Sequence, residues 1–244
     1  RENGRKRQPR LRTPQEMATL VGSRLPGLIR DLALTGAGTV VPMPAAAVAE
    51  QVRVAYDPAA ATIIEAARAA GEDAGVSWSN AGPAAHYTSW SGYRHDGAAS
   101  VSWQLVQPPR GVVDSRVLQD LLAPQDELHR KRVTIIYRPH DPATAAAVVD
   151  KDLRTATGRP GERVRAAQSA AITAATQAAQ EEASGAGVER FSLLVTATVR
   201  DPQQLGKAED LVDQLGRASR LRLRPCYGSQ DAAFAAALGV GVGV

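Results

Sequence analysis

From residue 48 onward the hydrophobic positions fall into short runs whose period switches between two and about 3.6, and the switch recurs at one dipeptide. Three times a β-branched or alternating run meets Asp-Pro and then apolar residues at helical spacing. The copies are VRVAY, Asp57-Pro58 and AAATIIEAARAAG; VTIIYRPH, Asp141-Pro142 and ATAAAVVDKDL; SLLVTATVR, Asp201-Pro202 and QQLGKAEDLVDQLG. Each predicts a strand, a cap and a helix. Asp at an N-cap accepts a bond from an otherwise unpaired helix N–H, and Pro at the first helical position forfeits none. In the third copy Leu205, Ala208, Leu211, Val212 and Leu215 share one helical face, which predicts packing on a sheet, and Gly216 is placed to end the helix.

Between the first two copies, HYTSWSGY and ASVSWQLVQ flank Arg94-His95-Asp96-Gly97, and the Asp-Gly pair predicts a two-residue hairpin turn. Trp90 and Trp103 then fall on its two strands as a cross-strand packing pair; stacking of Trp78, Trp90 and Trp103 on single-stranded bases is the alternative. GVVDSRVLQDLLAP reads as a helix ending at Pro124, residues 160–184 as a long Ala-rich helix, and LRLRPCY as a strand before the short helix DAAFAAAL. The order β-α-α-β-α-β of the second half predicts an α/β (α+β) fold. Its ferredoxin-like sandwich units are built from strand–Asp-Pro–helix repeats on a mixed or antiparallel sheet, with strands of the first half available to complete it. The expected division is a basic tail and linker over 1–45, with an amphipathic stretch from Pro14 to Leu34, a first lobe with the hairpin over 46–125, and a second, ferredoxin-like lobe over 126–244.

Composition changes this picture in two places. Of 244 residues 44% are hydrophobic but only 4% aromatic, so small side chains and close helix packing are expected. The net charge of +4 is uneven: the first twelve residues hold six Arg or Lys against one Glu. Arg5, Lys6, Arg7, Arg10 and Arg12 make this either a solvated linker or a tail that neutralises anionic lipid headgroups or DNA phosphates. The single Cys226 excludes an internal disulfide framework. No uncharged apolar run approaches the ~18–20 residues that cross a bilayer. The chain opens at Arg1 and closes on GVGVGV, so it is expected to be a soluble portion of something longer.

Candidate chemistry is sparse. No G-x-x-x-x-G-K-[ST] occurs, and each Asp-capped helix N-terminus already holds a carboxylate where a phosphate would bind, so no nucleotide hydrolysis is expected. His86, His95, His129 and His140 lack metal-ligand spacing. His95-Asp96 near Ser89 and Ser91 lacks a G-x-S-x-G elbow and reads as turn residues. Neither a catalytic residue nor a cofactor is expected. Arg220, Arg222 and Arg224 alternate with Leu221 and Leu223, which puts three guanidinium groups on one strand face, either solvated or turned to an anionic partner. The run Arg130, Lys131 and Arg132 carries the same two alternatives.

The segments YRHDGAASVSWQL, PRGVV, LLAP, RKRVTIIYRPHDPATAA, FSLLVTATVRDP and RLRPCYGSQDAAFAAALGVG resemble the soluble part of actinobacterial conjugative-element membrane proteins. In that PrgI-like, type IV secretion family a transmembrane pair precedes a domain similar to the N-terminal, pre-ATPase domain of type IV secretion ATPases. The likeness covers about residues 48–244, and its most specific part is YGSQDAAFAAALGVG, similar to the lead-in to the ATPase core of larger relatives. The resemblance implies a non-catalytic scaffold at the cytoplasmic face of the bacterial cell membrane, held there by transmembrane segments preceding Arg1. Its implied partners are a separate DNA-translocating ATPase, other secretion subunits and, as an open question, further copies of itself or DNA. Neither the transmembrane pair nor a motor domain lies within these residues. A DNA-binding accessory module of conjugation and a subunit of a type VII-like protein secretion complex are the competing functions.

Overall fold

The computed structural model describes residues 12–36, 38–109, 113–158, 166–185 and 187–241. Arg5, Lys6, Arg7 and Arg10 lie outside the described residues. The chain divides into two compact units, Arg1–Val48 and Ala49–Val244. The first carries α1 (Pro14–Leu34), which opens on a capping box: Thr13 Oγ1 accepts from the Glu16 N–H and Glu16 accepts from the Thr13 N–H.

VRVAY is not a strand. It is the end of α2 (Ala45–Tyr56), in which Ala49, Val52 and Ala55 are buried at a spacing of three. The preceding AAAVAEQ extends that periodicity, and a five-residue window starting at Val52 is too short to reveal it. Asp57 Oδ1 then accepts from the Ala59 N–H ahead of α3 (Ala60–Ala70). The other two copies are as expected at their caps. Asp141 accepts from the Ala143 N–H and Asp201 from the Gln203 N–H, the latter opening a short 3₁₀ turn.

The remaining elements are β1 (His86–Thr88), β2 (Tyr93–His95), β3 (Ala98–Gln107), α4 (Gln119–Leu122), β4 (Arg130–Pro139), α5 (Pro142–Thr157), α6 (Ala166–Ala183), β5 (Glu189–Val199), α7 (Leu205–Ala218), β6 (Arg222–Pro225) and α8 (Gln230–Ala236). The sheet runs β1-β2-β3-β5-β4, and β6 shares with β2 the other edge of β3. Every pairing is antiparallel. β3 and β4 therefore run parallel with β5 between them, and β5 and β6 run parallel with β3 between them. Two interleaved split β-α-β units of this kind make the fold α+β and ferredoxin-like. Their strand order, β4-β5-β3-β6, crosses residue 125, so the expected cut between 46–125 and 126–244 is not a boundary. β3, from the first half, is a central strand of the unit assigned to the second.

The two faces of this sheet differ in chemistry. Odd-numbered residues of β3 and β5, with Leu121 of α4 and Ala208, Val212 and Leu215 of α7, form an aliphatic core around the buried Trp103. Gly216 does not end α7. It sits inside the helix where a Cβ would lie 3.1 Å from Leu223, and the left-handed residue that turns the chain is Arg220, at φ 54°. On the opposite face four even-numbered residues are hydroxylic: Ser100 Oγ is 2.7 Å from Thr198 Oγ1, and Ser102 Oγ 2.9 Å from Thr196 Oγ1. α8 closes over them through Gln230, whose Oε1 accepts from the Ser102 N–H at 2.7 Å while its Nε2 donates to the Ser102 carbonyl. Gln230 and Ser102 are almost fully buried, so no water replaces these bonds. Gln230→Ala should therefore strand a central-strand N–H and destabilise the protein by ~1–3 kcal/mol, read as a lower urea midpoint at unchanged m-value.

Candidate interaction site

β4 and β5 pair over ten positions, from Arg130↔Thr198 to Pro139↔Glu189. Their inner halves lie under the helices, but beyond Leu193 the ribbon leaves that cover: Ser192, Phe191, Arg190 and Glu189 are all exposed. On the face continuous with the aliphatic core, Tyr137 stands opposite Phe191 and Ile135 opposite Leu193. Tyr137 is 60% exposed, Phe191 50% and Ile135 40%, an apolar patch on an edge strand. Such patches and edges mark association surfaces. The ribbon feeds α5 and α6, which pack on each other. Ala145 and Val149 of α5 are buried, and Ile172, Ala175 and Ala179 of α6 are half-buried at helical spacing. No described residue of either helix belongs to the cores of the body. Sequence reasoning missed the patch, because alternation in TIIYRP and RFSLL marks a half-buried strand without saying where its cover stops.

The basic run at the foot of this ribbon is split between the faces rather than gathered. Lys131 Nζ donates to the Ala123 carbonyl at the end of α4, and burial holds its pKa below the usual lysine value. Arg132 points to the other face, 5.3 Å above the Phe234 ring. Burial, aided by neighbouring Arg130, draws its guanidinium down to about 10, so it stays charged at neutral pH. A strand start alternates its side chains, so Arg130, Lys131 and Arg132 do not form one anion-binding surface. Arg222 and Arg224 are exposed together on β6, whereas Arg220 precedes the strand in its left-handed turn, so the triplet is a pair. Arg12 is exposed ahead of α1.

Nor do Trp90 and Trp103 make a cross-strand pair. Trp103 is buried on β3, while Trp90 lies in the loop before β2, 72% exposed. Its ring is parallel within 9° to that of Tyr227, with centroids 6.2 Å apart. Its carbonyl accepts from the Gly228 N–H at 2.8 Å. Gly228, at φ +73°, is required here, since a Cβ would come 2.8 Å from Trp90 Cζ3. Tyr227 comes just after β6 and Trp90 just before β2, and the pair was hidden because its members are 137 residues apart.

His95 joins a serine, though neither Ser89 nor Ser91. Its Nδ1 faces the Tyr56 carbonyl and its Nε2 lies 2.8 Å from Ser100 Oγ. A carbonyl only accepts, so Nδ1 carries the proton; Nε2 then accepts from Ser100, and Ser100 from Thr198. Ser100 has no accessible surface, so the relay is sealed. Asp96 at the hairpin turn, φ 40°, accepts from the Ala84 and Ala85 N–H groups, and its other oxygen is 3.1 Å from Arg53 Nη1. Among the described residues no group of three His, Cys, Asp or Glu could hold a metal ion.

No protein-family profile matches the chain. Over an alignment of 94 positions that covers 36% of the chain, it is 32% identical to the macrolide export ATP-binding/permease protein MacB of Hahella chejuensis. The chain spans 14% of that protein's length, so the export and ATP binding in its name remain with that protein.

Desolvation holds the His95 pKa below 6.5, against a smaller opposing pull from its bond to Tyr56. The unfolded chain thus binds this proton more readily than the native one, and the contribution of His95, present above about pH 6.5, should be lost as pH falls below that value through the lowered native pKa. Protonated Nε2 also ceases to accept from Ser100. Denaturation midpoints of the native protein and His95→Gln between pH 7.5 and 5 isolate the effect: the native protein should lose stability faster on acidification.

Proposed function

We propose that this chain is a non-catalytic docking module of a membrane-associated type IV secretion machine for conjugative DNA transfer, positioning a separate DNA-translocating ATPase. The observation that carries the proposal is the ribbon of β4 and β5: a rigid body holds out an uncovered apolar patch of Ile135, Tyr137 and Phe191 and a helical pair beside it. A scaffold needs such a surface, with aromatics that bury much area at small entropic loss. The likeness of YGSQDAAFAAALGVG to the lead-in of a secretion ATPase core supports the choice of partner. In this reading the module works at the cytoplasmic face of the cell membrane. The type VII-like alternative uses the same surface with a different motor.

A second function is favoured by one feature, the exposed Trp90–Tyr227 pair, whose Tyr227 comes just after Arg222 and Arg224 in the chain. Aromatic shelves beside cationic strands bind single-stranded nucleic acid.

Two measurements separate these. The full-length protein carrying Tyr137→Glu and Phe191→Lys, expressed in an actinobacterial host, should no longer co-purify its ATPase. Both side chains are solvent-facing, so stability should change by under ~1 kcal/mol, and full retention of the ATPase would remove the docking proposal. For the second, anisotropy with a single-stranded oligonucleotide should show affinity falling with salt at a slope near −0.7 per phosphate contact, with Trp90→Ala costing ~1–3 kcal/mol. Salt-insensitive binding, or none, would eliminate it.

A further inference from the structure

We propose that α1 is an interfacial helix that lies on an anionic lipid surface, with the basic tail ahead of it as the electrostatic half of the contact. This is independent of the docking role, since it concerns the first unit and needs neither β4 nor β5. Met17, Val21, Leu25, Leu28 and Leu32 recur at intervals of four, four, three and four, which places them on one stripe of a 3.6-residue helix, flanked by Ala18 and Ile29. Within the described residues of the first unit nothing covers that stripe. α1 has no buried residue, and Met17, Val21, Leu28 and Leu32 are between 42% and 55% exposed. A 21-residue helix with a water-facing apolar stripe needs an occupant, because its isolated amphipathic form gains no packing energy.

Charge selects the occupant. Within α1 the charges of Glu16, Arg24, Arg30 and Asp31 cancel, but the twelve residues up to Arg12 hold six basic side chains against Glu2. Anionic headgroups attract such a tail while the acyl boundary takes the stripe, so one surface satisfies both. Nucleic acid would satisfy the tail and leave the stripe in water. A second copy in parallel register would satisfy the stripe and bring two basic tails together. α1 is not itself apolar enough to span a bilayer, which fits a helix lying in the interface plane.

The test is co-sedimentation of the whole chain with phosphatidylcholine vesicles with and without phosphatidylserine. Binding should need the anionic lipid and weaken by about fivefold for each charge removed as Arg5, Lys6, Arg7 and Arg10 are changed to Gln. Leu28→Gln should weaken it at least ~tenfold, while Ser23→Gln, off the stripe and equally uncharged, should leave it within about twofold. Circular dichroism of each variant confirms that the second unit stays folded. Equal binding to neutral and anionic vesicles, full binding by Leu28→Gln, or a self-associating or DNA-binding chain that ignores vesicles would each overturn the proposal.

Discussion

Four buried hydroxyls, on Ser100, Ser102, Thr196 and Thr198, stand where a two-layer sandwich would ordinarily place aliphatic side chains, and each must find its partner inside the protein. They pair across β3 and β5, but two pairs do not close the account of donors and acceptors. The Ser100 hydroxyl donates a hydrogen bond to His95 Nε2, and His95 Nδ1–H donates one to the Tyr56 carbonyl. That requirement fixes the end of α2 against the hairpin. The Ser102 backbone is met by Gln230, which fixes α8, and Thr134 donates to the Ala237 carbonyl at the end of that helix. An aliphatic face would tolerate sliding; a directed chain of hydrogen bonds has one register. The packing of Tyr56, Tyr93, His95 and Phe234 rings follows from this placement.

With the body locked in this way, the ribbon of β4 and β5 inherits a fixed direction from its inner half. On one face of its outer half Ile135, Tyr137 and Phe191 stand apolar and in water. The proposed docking role would use this division, with buried hydrogen bonds ordering the body and uncovered apolar surface held out from it. Lys131 and Arg132 belong to the locked half. Their bonds to Ala123 and to the Phe234 ring tie the foot of the ribbon to α4 and α8, which is structural work for charges that sequence alone offered to an anionic partner.

Most of the architecture was legible in local chemistry. Asp141, Asp201 and the Asp96-Gly97 turn each act over a few residues, and their elements follow the pattern. Failures arose where the decisive partner was distant or the window too short. VRVAY satisfied a strand pattern only when cut from the alanines before it. Gly216 resembled a helix stop, and only the approach of Leu223 gives its actual reason. Trp90 was paired with Trp103 because both seemed to lie on one hairpin, while its true neighbour arrives with Tyr227. The patch around Tyr137 was invisible because alternation describes a face, and cover is a property of what lies above it.

The edge of β3 shared by β2 and β6 has a consequence for the order in which the protein is made. β2 fills the half nearest the start of β3 almost as soon as the hairpin leaves the ribosome, but the other half waits for Arg222–Pro225, more than a hundred residues later. Until then Ser102 has neither Gln230 nor the Cys226 N–H that its carbonyl accepts. The nascent sheet must therefore carry an open central strand through the synthesis of the whole β4-to-α7 segment. β6 and α8 act as its latch, and the fold of the second unit is completed only once these two elements have been made.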